Sequence, residues 1–254
     1  MHLLLVDALN LIRRIYAAAE NSEVPLEATR SRCLSAILRT VEQLQTTHLA
    51  MVFETKSPTW RHALWPDYKL ARAPMPEPLQ QNLQAMQHYF QEQGIFCFEV
   101  ANFEADDVVA TLAKKAAYAN LKVTIMSTDK GFCQLIEPRI KVLNYFERFI
   151  WDEQRVREKY MLSPEQLPDF LGLTGDTTNH LPGVPSIGPK TAGQLLDRFG
   201  DLDTLLLQRQ QCDSKLAKAL TEHWERALLT RLLAKLKLDV DIGVNLHSMR
   251  FQSS

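Results

Sequence analysis

The stretch "IMSTDKGFCQLI", residues 125–136, places a carboxylate where a buried strand turns into a helix. Ile125 and Met126 begin it as apolar strand residues, and Asp129 stands at the point where the strand ends. Gly131 follows two residues later. An acid in this position is either a helix cap or a functional group. The rest of the chain decides between these two roles.

Short apolar runs alternate with amphipathic helical patterns in the first part of the chain. The predicted strands are residues 2–8, 49–55, 95–100, 122–128 and 140–145, and the predicted helices include 29–45, 76–94 and 104–120. This alternation predicts an α/β fold with a mostly parallel sheet flanked by helices. After about residue 160 the strand signal stops. We therefore expect an α/β core followed by a helical region.

Acidic residues stand at the ends of several predicted strands. They are Asp7 after the first strand, Glu54 after the second, Glu104, Asp106 and Asp107 after the third, and Asp129 after the fourth. The carboxyl ends of parallel strands meet at one edge of a sheet, where ligands bind. One such acid is more often a helix cap, but four acidic segments at one edge repel each other unless a cation neutralises them. Oxygen ligands suit Mg²⁺ or Mn²⁺, so the pattern predicts a metal-dependent phosphoryl-transfer or hydrolysis site.

Composition excludes several classes of protein. The 254 residues allow one large domain or a core with a smaller appendage, and the net charge of −1 shows no overall basic excess. Nucleic-acid binding would therefore depend on local patches. We expect no signal peptide, no transmembrane helix and no zinc site. The scattered cysteines predict reduced thiols in a cytosolic protein; they are Cys33, Cys97, Cys133 and Cys212.

A basic segment, "TKSPTWRHALWPDYKLARAPMP" (55–76), follows the second strand. Its cations are Lys56, Arg61, His62, Lys69 and Arg72, interleaved with Trp60, Trp65 and Tyr68. Cations contact phosphates, and aromatic rings stack on unpaired bases. The prolines predict a long loop or a mobile helical segment over the acidic edge, with Lys69 and Arg72 on one helix face directed into the site. A lysine there stabilises charge that develops on a phosphate. The alternative is a solvated insertion with a few core aromatics.

A glycine-rich turn lies in the later stretch "GDTTNHLPGVPSIGPKTAGQLLDRFG", residues 175–200. Gly183 and Gly188 bracket the turn, and Pro189 suits the first turn of a helix. Such a turn presents backbone amides that bind phosphate without reading a base, and Lys190 adds a cation. The alternative is an ordinary helix–turn–helix packing element.

Several long motifs resemble the 5′-nuclease (flap endonuclease) superfamily. They are "WRHALWPDYKLARAPMP" (60–76), "EADDVVATLA" (104–113), "STDKGFCQL" (127–135), "FLGLTGD" (170–176) and "LPGVPSIGPKTAGQLLDRFG" (181–200). They occur in the family's order, and the chain is most similar to its short free-standing bacterial members. The resemblance implies a PIN-like nuclease core over residues 1–160 with an arch segment at about 56–80. It also implies a helical DNA-binding region over 161–254, with a helix-three-turn-helix motif at about 170–200.

The resemblance implies two metal sites. The first would use Asp7, Glu54, Glu104, Asp106, Asp107 and Asp129. The second would combine Asp129 and Asp176 with two further aspartates, but Gly131 and Asn179 stand at those two positions. The first site also departs slightly, because Glu54 replaces a usual aspartate. Losing two carboxylates weakens the second ion, so we expect one firmly bound Mg²⁺ (or Mn²⁺) and a second that is weak or substrate-dependent.

The resemblance also implies contacts with potassium and DNA. K⁺ would bind the backbone carbonyls of Leu173, Thr174, Pro182, Val184 and Ile187. The expected DNA-binding residues are Arg61, Tyr68, Lys69, Arg72, Ser186, Ile187, Gly188, Pro189, Lys190 and Thr191. Lys69 and Arg72 would engage the scissile phosphate, with Tyr68 near the unpaired base. Together with Asp106 and Asp129, Lys69 and Arg72 form the predicted catalytic set.

The leading hypothesis is a structure-specific 5′ flap endonuclease and 5′–3′ exonuclease. It would act on branched or flapped double-stranded DNA with a 5′ single-stranded arm. One alternative is a catalytically impaired protein that only binds flapped or branched DNA. A PIN-type ribonuclease is a third, disfavoured by the duplex-holding turn. The retained acids favour catalysis, because a protein without a metal has little reason to keep a repulsive cluster. We expect a monomer in the bacterial cytoplasm, working at the nucleoid and not at a membrane.

Overall fold

A central six-stranded sheet organises the molecule. The computed structural model describes residues 1–70 and 72–252. The strands are β1 His2–Asp7, β2 His48–Val52, β3 Phe96–Phe98, β4 Lys122–Met126, β5 Ile140–Asn144 and β6 Phe149–Trp151. Their order across the sheet is β3-β2-β1-β4-β5-β6. The first five strands are parallel, as predicted, whereas β6 pairs antiparallel with β5.

Helices cover the sheet and form most of the later part of the chain. The α-helices of the described residues are α1 Ala8–Ala19, α2 Pro25–Leu44, α3 Trp60–Leu64, α4 Glu77–Glu92, α5 Ala105–Tyr118, α6 Glu153–Tyr160, α7 Leu167–Thr174, α8 Pro189–Phe199, α9 Leu202–Leu207 and α10 Ser214–Ala234. Short 3₁₀-helices span Lys130–Leu135, Pro164–Gln166, Arg209–Gln211 and Leu246–Met249. None of the helices in residues 1–70 and 72–252 has the length and apolar character needed to cross a membrane.

The period of two along a strand divides the interior into two cores. Leu4 and Val6 of β1 point toward α1, α2 and α4, whereas Leu3 and Leu5 point toward α5. The core on the α5 side continues without a break into α7, α8 and α10, where Leu173, Leu196 and Leu220 are buried in it. The helical region therefore packs directly against one side of the sheet.

The strand order creates a switch point beside β1. The chain passes from β1 to β2 and β3 on one side, then returns to place β4 on the other side. At the carboxyl ends of β1 and β4 the following connections diverge, which opens a crevice in sheets of this type. Asp7 is the last residue of β1, and Asp129 follows β4 by three residues. This topology brings together the acids that the strand ends predicted.

Some elements differ from the sequence prediction. The pattern did not identify α1, because its apolar residues follow β1 without any intervening turn residue. It also missed β6, whose three residues are too few to show a period. Lys69 and Arg72 do not share a helix face. The helix α3 ends at Leu64, before Pro66, and Lys69 lies in a turn with a left-handed φ of 60°.

The aromatic residues of the basic segment form a small core. The buried Tyr68 packs with Leu181 and with Leu233 of α10, and Trp60 and Trp65 lie against this cluster. We expected these rings to stack on unpaired bases, but Tyr68 is 5% exposed, and the half-buried Trp60 and Trp65 pack against the same cluster. The alternative interpretation, an insertion with core aromatics, therefore describes them better. Through them the basic segment is anchored to α10.

Candidate functional site

Two aspartates border the crevice at the switch point, and both also cap a helix. Asp7 accepts hydrogen bonds from Ser127 Oγ at 2.8 Å and from the Asn10 amide at 3.2 Å. Asp129 accepts one from the Gly131 amide at 2.7 Å, and its own amide donates to Ser127 Oγ at 3.0 Å. The sequence posed capping and function as alternatives for Asp129. The structure shows that capping takes one carboxylate oxygen of Asp129 and that the residue still lines the cleft.

The opposite wall comes from the start of α5 and the connection after β2. Glu54 Oε2 accepts a hydrogen bond from the Ala105 amide at 2.9 Å, which ties the two segments together. Glu104 precedes α5 and is 1% exposed, whereas Asp106 is half-buried and faces the cleft. These acids line one cleft of about 960 Å³ together with Asp7, Asp129 and Asp176.

Lys69 places its ammonium group within this ring of acids. Its Nζ lies 2.6 Å from Glu104 Oε1 and 4.0 Å from Glu54 Oε1. Burial alone disfavours the charged lysine, but the attraction of Glu104, Asp106 and Glu54 outweighs it and raises the pKa of Lys69. The expected position of Lys69 in the site therefore agrees with the structure, although a turn and not a helix presents it.

Burial and mutual repulsion perturb the acids themselves. Burial raises the pKa of Asp7 to about 6, with a smaller contribution from the charge of Asp129. Burial also raises the pKa of Asp106 well above its ordinary value, and Asp129 adds to the rise. The pKa of Glu54 is raised by burial, partly offset by Lys69. Carboxylates forced together in this way favour a bound cation, and such perturbed groups cluster at functional sites.

The donor chemistry fits a hard divalent cation, but the protein alone does not form a closed metal site. Within residues 1–70 and 72–252, no three or more His, Cys, Asp or Glu side chains are arranged so that they could hold an ion. Several oxygens are engaged by protein donors instead. Glu104, for example, accepts from Lys69 on one oxygen and from Arg61 and Tyr68 on the other. Firm binding of a first ion therefore remains a prediction.

Asp107 does not face the cleft, which corrects the expectation that it is a metal ligand. It is 0% exposed. Arg61 donates to both of its oxygens, at 2.7 and 2.8 Å, while Trp60 Nε1 and the Lys237 amide complete the set at 2.9 Å each. Successive residues on a helix point about 100° apart, so Asp106 can face the cleft while Asp107 points toward Arg61.

Arg61 is a buried structural cation, which corrects its expected contact with DNA. Only 1% of the residue is exposed, and Nε donates to the Leu233 carbonyl at 2.7 Å. Burial disfavours the guanidinium charge, but Asp107 and Glu104 overcome this and raise the pKa of Arg61. Tyr68 is also unavailable for DNA in this structure, because it is 5% exposed and its hydroxyl donates to Glu104 at 3.1 Å.

The positions that depart from the two-metal pattern also belong to the cleft. Gly131 and Asn179 both line it. Asn179 Nδ2 donates to Asp176 Oδ2, and Asn179 Oδ1 accepts from the exposed Arg72 at 2.6 Å. Arg72 therefore lies at the cleft, paired with Asn179. A Cβ atom at Gly131 would lie 3.1 Å from Asp129 Oδ1, so a side chain there would adjoin the carboxylate of Asp129.

Sequence reasoning missed several cleft residues on α1 and beside Asp129. Asn10, Arg13, Arg14 and Lys130 all line the cleft. Arg13 donates to the Ala73 carbonyl at 3.1 Å, which connects α1 with the end of the basic segment. A signal was present in the chain: the pair at positions 13 and 14 follows the first strand by less than two helical turns. Because α1 itself was not identified, this signal had no place in the predicted fold.

The glycine-rich turn brings backbone segments into close contact. A Cβ atom on Gly183 would lie 2.4 Å from the Thr174 carbonyl carbon, so only glycine fits there. Three of the expected potassium ligands already accept hydrogen bonds on their carbonyls: Leu173 from the Val184 amide at 2.8 Å, Pro182 from Thr230 Oγ1 at 2.7 Å, and Val184 from the Ile187 amide at 3.1 Å. A carbonyl oxygen has a second lone pair, so these bonds leave room for a further contact.

The turn before α8 is largely exposed, and its aliphatic side chains are buried. The exposed residues are Pro185, Ser186, Gly188, Pro189 and Lys190, and Thr191 is half-buried. The side chains of Val184 and Ile187 are 3% and 4% exposed, so only their backbone could reach a ligand. Gly188 precedes α8, an 11-residue helix with Pro189 at its first position. The helix start therefore agrees with the sequence prediction.

A parallel sheet with an acidic cleft at its switch point, a lysine within the acids and an appended helical region is typical of nucleases of the α/β class. Comparison with known proteins agrees. Residues 2–161 match the family "5′-3′ exonuclease, N-terminal resolvase-like domain", and residues 162–254 match "5′-3′ exonuclease, C-terminal SAM fold". The chain belongs to the 5′-3′ exonuclease family, which confirms the resemblance found in its motifs.

Relatives and solved structures extend this result. The chain is 42% identical to flap endonuclease Xni of Cronobacter sakazakii over 252 residues, which covers 98% of each protein. It is 40% identical to flap endonuclease Xni of Colwellia psychrerythraea, covering 100% of this chain and 93% of that protein. A bacteriophage T5 5′-exonuclease structure with bound zinc has a TM-score of 0.78 at 18% identity, covering 92% of this chain and 89% of that one. At that identity the likeness establishes the fold, which is the predicted one.

Proposed function

We propose that the protein is a structure-specific 5′ flap endonuclease with 5′–3′ exonuclease activity on branched DNA. The observation that carries the proposal is the cleft at the switch point, where Lys69 lies within a ring of acids. The relatives named flap endonuclease cover nearly the whole chain, and their names support the same activity. They lend no support to the alternative of a catalytically impaired binding protein.

The cofactor is a divalent cation, for which Mg²⁺ or Mn²⁺ suits the all-oxygen donor set. Asp7, Glu54, Asp106 and Asp129 would hold it, together with Glu104 if Lys69 releases an oxygen. Such an ion, when bound, neutralises phosphate charge and lowers the pKa of water. A second ion would be weaker, because Gly131 and Asn179 supply no carboxylate. A structure of bacteriophage T5 flap endonuclease with DNA and metal ions, at a TM-score of 0.77, supports such a role for divalent ions.

The chain's own residues would orient the DNA and stabilise charge. Lys69 and Arg72 present cations on the basic segment, where charge develops on a scissile phosphate. Arg13 and Lys130 line the same cleft and can contact neighbouring phosphates. The exposed turn before α8 would bind duplex backbone through amides and Lys190, with K⁺ at its carbonyls.

The proposed organisation follows the expected one. Residues 1–160 would form the nuclease core with an arch segment at about 56–80, and 161–254 the DNA-binding region with a helix-three-turn-helix at about 170–200. The change of family model between residues 161 and 162 supports this division. The monomeric state and a bacterial cytoplasmic location remain predictions.

A cleavage assay tests the proposal. Purified protein with Mg²⁺ is expected to cut a 5′-flap substrate, and Asp106→Ala is expected to abolish cutting. Asp239→Ala removes an exposed aspartate outside the cleft and serves as the matched control. Nicked and single-stranded DNA in parallel measure the structure preference. Equal activity of Asp106→Ala and the control would mean that the cleft is not the nuclease site.

A further inference from the structure

Asn179 joins two segments that are far apart in sequence. Its backbone carbonyl accepts a hydrogen bond from the Lys69 amide at 3.0 Å. Its side chain accepts from Arg72 at 2.6 Å and donates to Asp176. A single half-buried asparagine therefore connects the turn of the basic segment to the 176–181 turn.

The side-chain contacts require an amide. A guanidinium group only donates hydrogen bonds and a carboxylate only accepts them, so the group between Arg72 and Asp176 must do both. The Asn179 amide does so, with its oxygen toward Arg72 and its nitrogen toward Asp176. An aspartate here would place two carboxylates against each other, which is unfavourable unless a cation or proton lies between them.

Both turns joined by Asn179 contain a residue in the left-handed region. Two backbone hydrogen bonds between Asp176 and Leu181, at 2.8 and 2.9 Å, close the 176–181 turn, in which His180 has a φ of 57°. Lys69 has a φ of 60°, and its carbonyl accepts a hydrogen bond from the Arg72 amide at 3.0 Å. A conformation of this kind persists only where surrounding contacts determine it. Asn179, which bonds to the Lys69 amide, supplies one of these contacts.

We propose that Asn179 is a positioning residue that keeps the Lys69 ammonium among the cleft acids without a second metal ion. Its main-chain carbonyl holds the Lys69 amide, and its side-chain amide holds the Arg72 guanidinium. In the two-carboxylate pattern the same junction would depend on a cation. Asn179 therefore does more than remove a metal ligand. It also connects the two turns without an ion. This connection does not rest on the proposed nuclease activity, although its consequence for cutting does.

Hydrogen–deuterium exchange of the Lys69 and Arg72 amides tests the connection directly. The full chain is compared in chelator and in Mg²⁺ as wild type, Asn179→Ala and Asn179→Asp. The matched control is Asn82→Ala, which removes the side-chain amide of a half-buried asparagine in α4 whose nitrogen donates to the Pro78 carbonyl in its own helix. Exchange in Asn179→Ala is expected to rise about tenfold in both buffers, because loss of the side-chain bonds to Arg72 and Asp176 loosens the main chain of residue 179 that the Lys69 amide binds. The control is expected to match wild type.

Asn179→Asp keeps the size of the side chain but removes its hydrogen-bond donor, so it tests whether the amide itself is needed. Asn179→Asp is expected to exchange rapidly in chelator and to regain protection in Mg²⁺, where a cation can lie between the two carboxylates. The double variant Asp176→Asn with Asn179→Asp restores one donor and one acceptor at unchanged total charge. It is therefore expected to show wild-type protection in chelator.

Two results would overturn the proposal. One is wild-type exchange of the Lys69 amide in Asn179→Ala. The other is full protection of Asn179→Asp in chelator, which would show that the amide is not needed. Flap cutting provides the functional readout: Asn179→Ala is expected to lower kcat more than it raises KM, and the exchanged pair to restore kcat. Slow exchange in a protein that cuts no DNA would reject the nuclease proposal and retain the connection.

Discussion

Asp106 and Asp107 are adjacent in sequence, yet we expect opposite consequences when each is replaced by alanine. Asp107→Ala removes the carboxylate that binds the buried Arg61 at 2.7 and 2.8 Å. Removing one partner of a buried ion pair costs about 3–5 kcal/mol. Glu104 stays 2.9 Å from Arg61, so we expect a loss near the lower limit, about 3 kcal/mol. For a chain of this size that lowers Tm by about 6–12 °C.

Asp106→Ala should leave stability unchanged or raise it. Burial raises the pKa of Asp106 in the folded protein above that of the unfolded chain, so its ionised form opposes folding at neutral pH. Removing the carboxylate removes this opposition. Cutting of flap DNA should nevertheless be abolished, because Asp106 is the acid of this pair that faces the cleft.

Urea and thermal unfolding in chelator measure the stability of both variants beside Asp239→Ala, and flap cleavage measures activity. The reasoning predicts a stable, inactive Asp106→Ala and a destabilised Asp107→Ala. Equal unfolding free energies of the two variants would refute the buried Arg61 arrangement. A destabilised Asp106→Ala would refute the assignment of the Asp106 side chain to the cleft and of the Asp107 side chain to the interior.

Further predictions concern the cleft. In chelator, the stability of the protein should fall as pH rises from about 4 to 6, because burial raises the pKa of Asp7 to about 6 from 3.8. Thermal denaturation at several pH values measures this. The same dependence of Tm on pH in Asp7→Asn would contradict it. The double variant Gly131→Asp with Asn179→Asp should bind Mn²⁺ more tightly in calorimetry, because it adds two carboxylates to the cleft. The new Cβ at position 131 would lie 3.1 Å from Asp129 Oδ1. Unchanged affinity would reject our account of the second ion. Lys69→Met should lower kcat by about 10²–10³, because the ammonium stabilises charge on the phosphate. Mn²⁺ binding should not weaken, because the ammonium and the metal ion compete for the same acids. A parallel loss of Mn²⁺ affinity would show that Lys69 supports the metal.

Local patterns were sufficient to predict the sheet and the location of the acids. Apolar runs such as residues 2–8 and 122–128 identify strands, because a strand buried on both faces must be apolar throughout. Parallel strands end at one edge, so acids at those ends meet whatever the detailed packing. The cleft containing Asp7, Glu54 and Asp129 could therefore be predicted from their positions alone.

Only the tertiary structure decided how the individual side chains are used. Helix geometry separates Asp106 from Asp107, but which one faces the cleft depends on Arg61, and Arg61 is placed by carbonyls of Leu233 and Lys235, more than 170 positions away. Such contacts leave no periodic signal, since they join segments that meet only after folding. The same holds for Asn179. In the sequence, asparagine at position 179 indicates only a missing carboxylate. In the structure, its three hydrogen bonds show that it connects two turns.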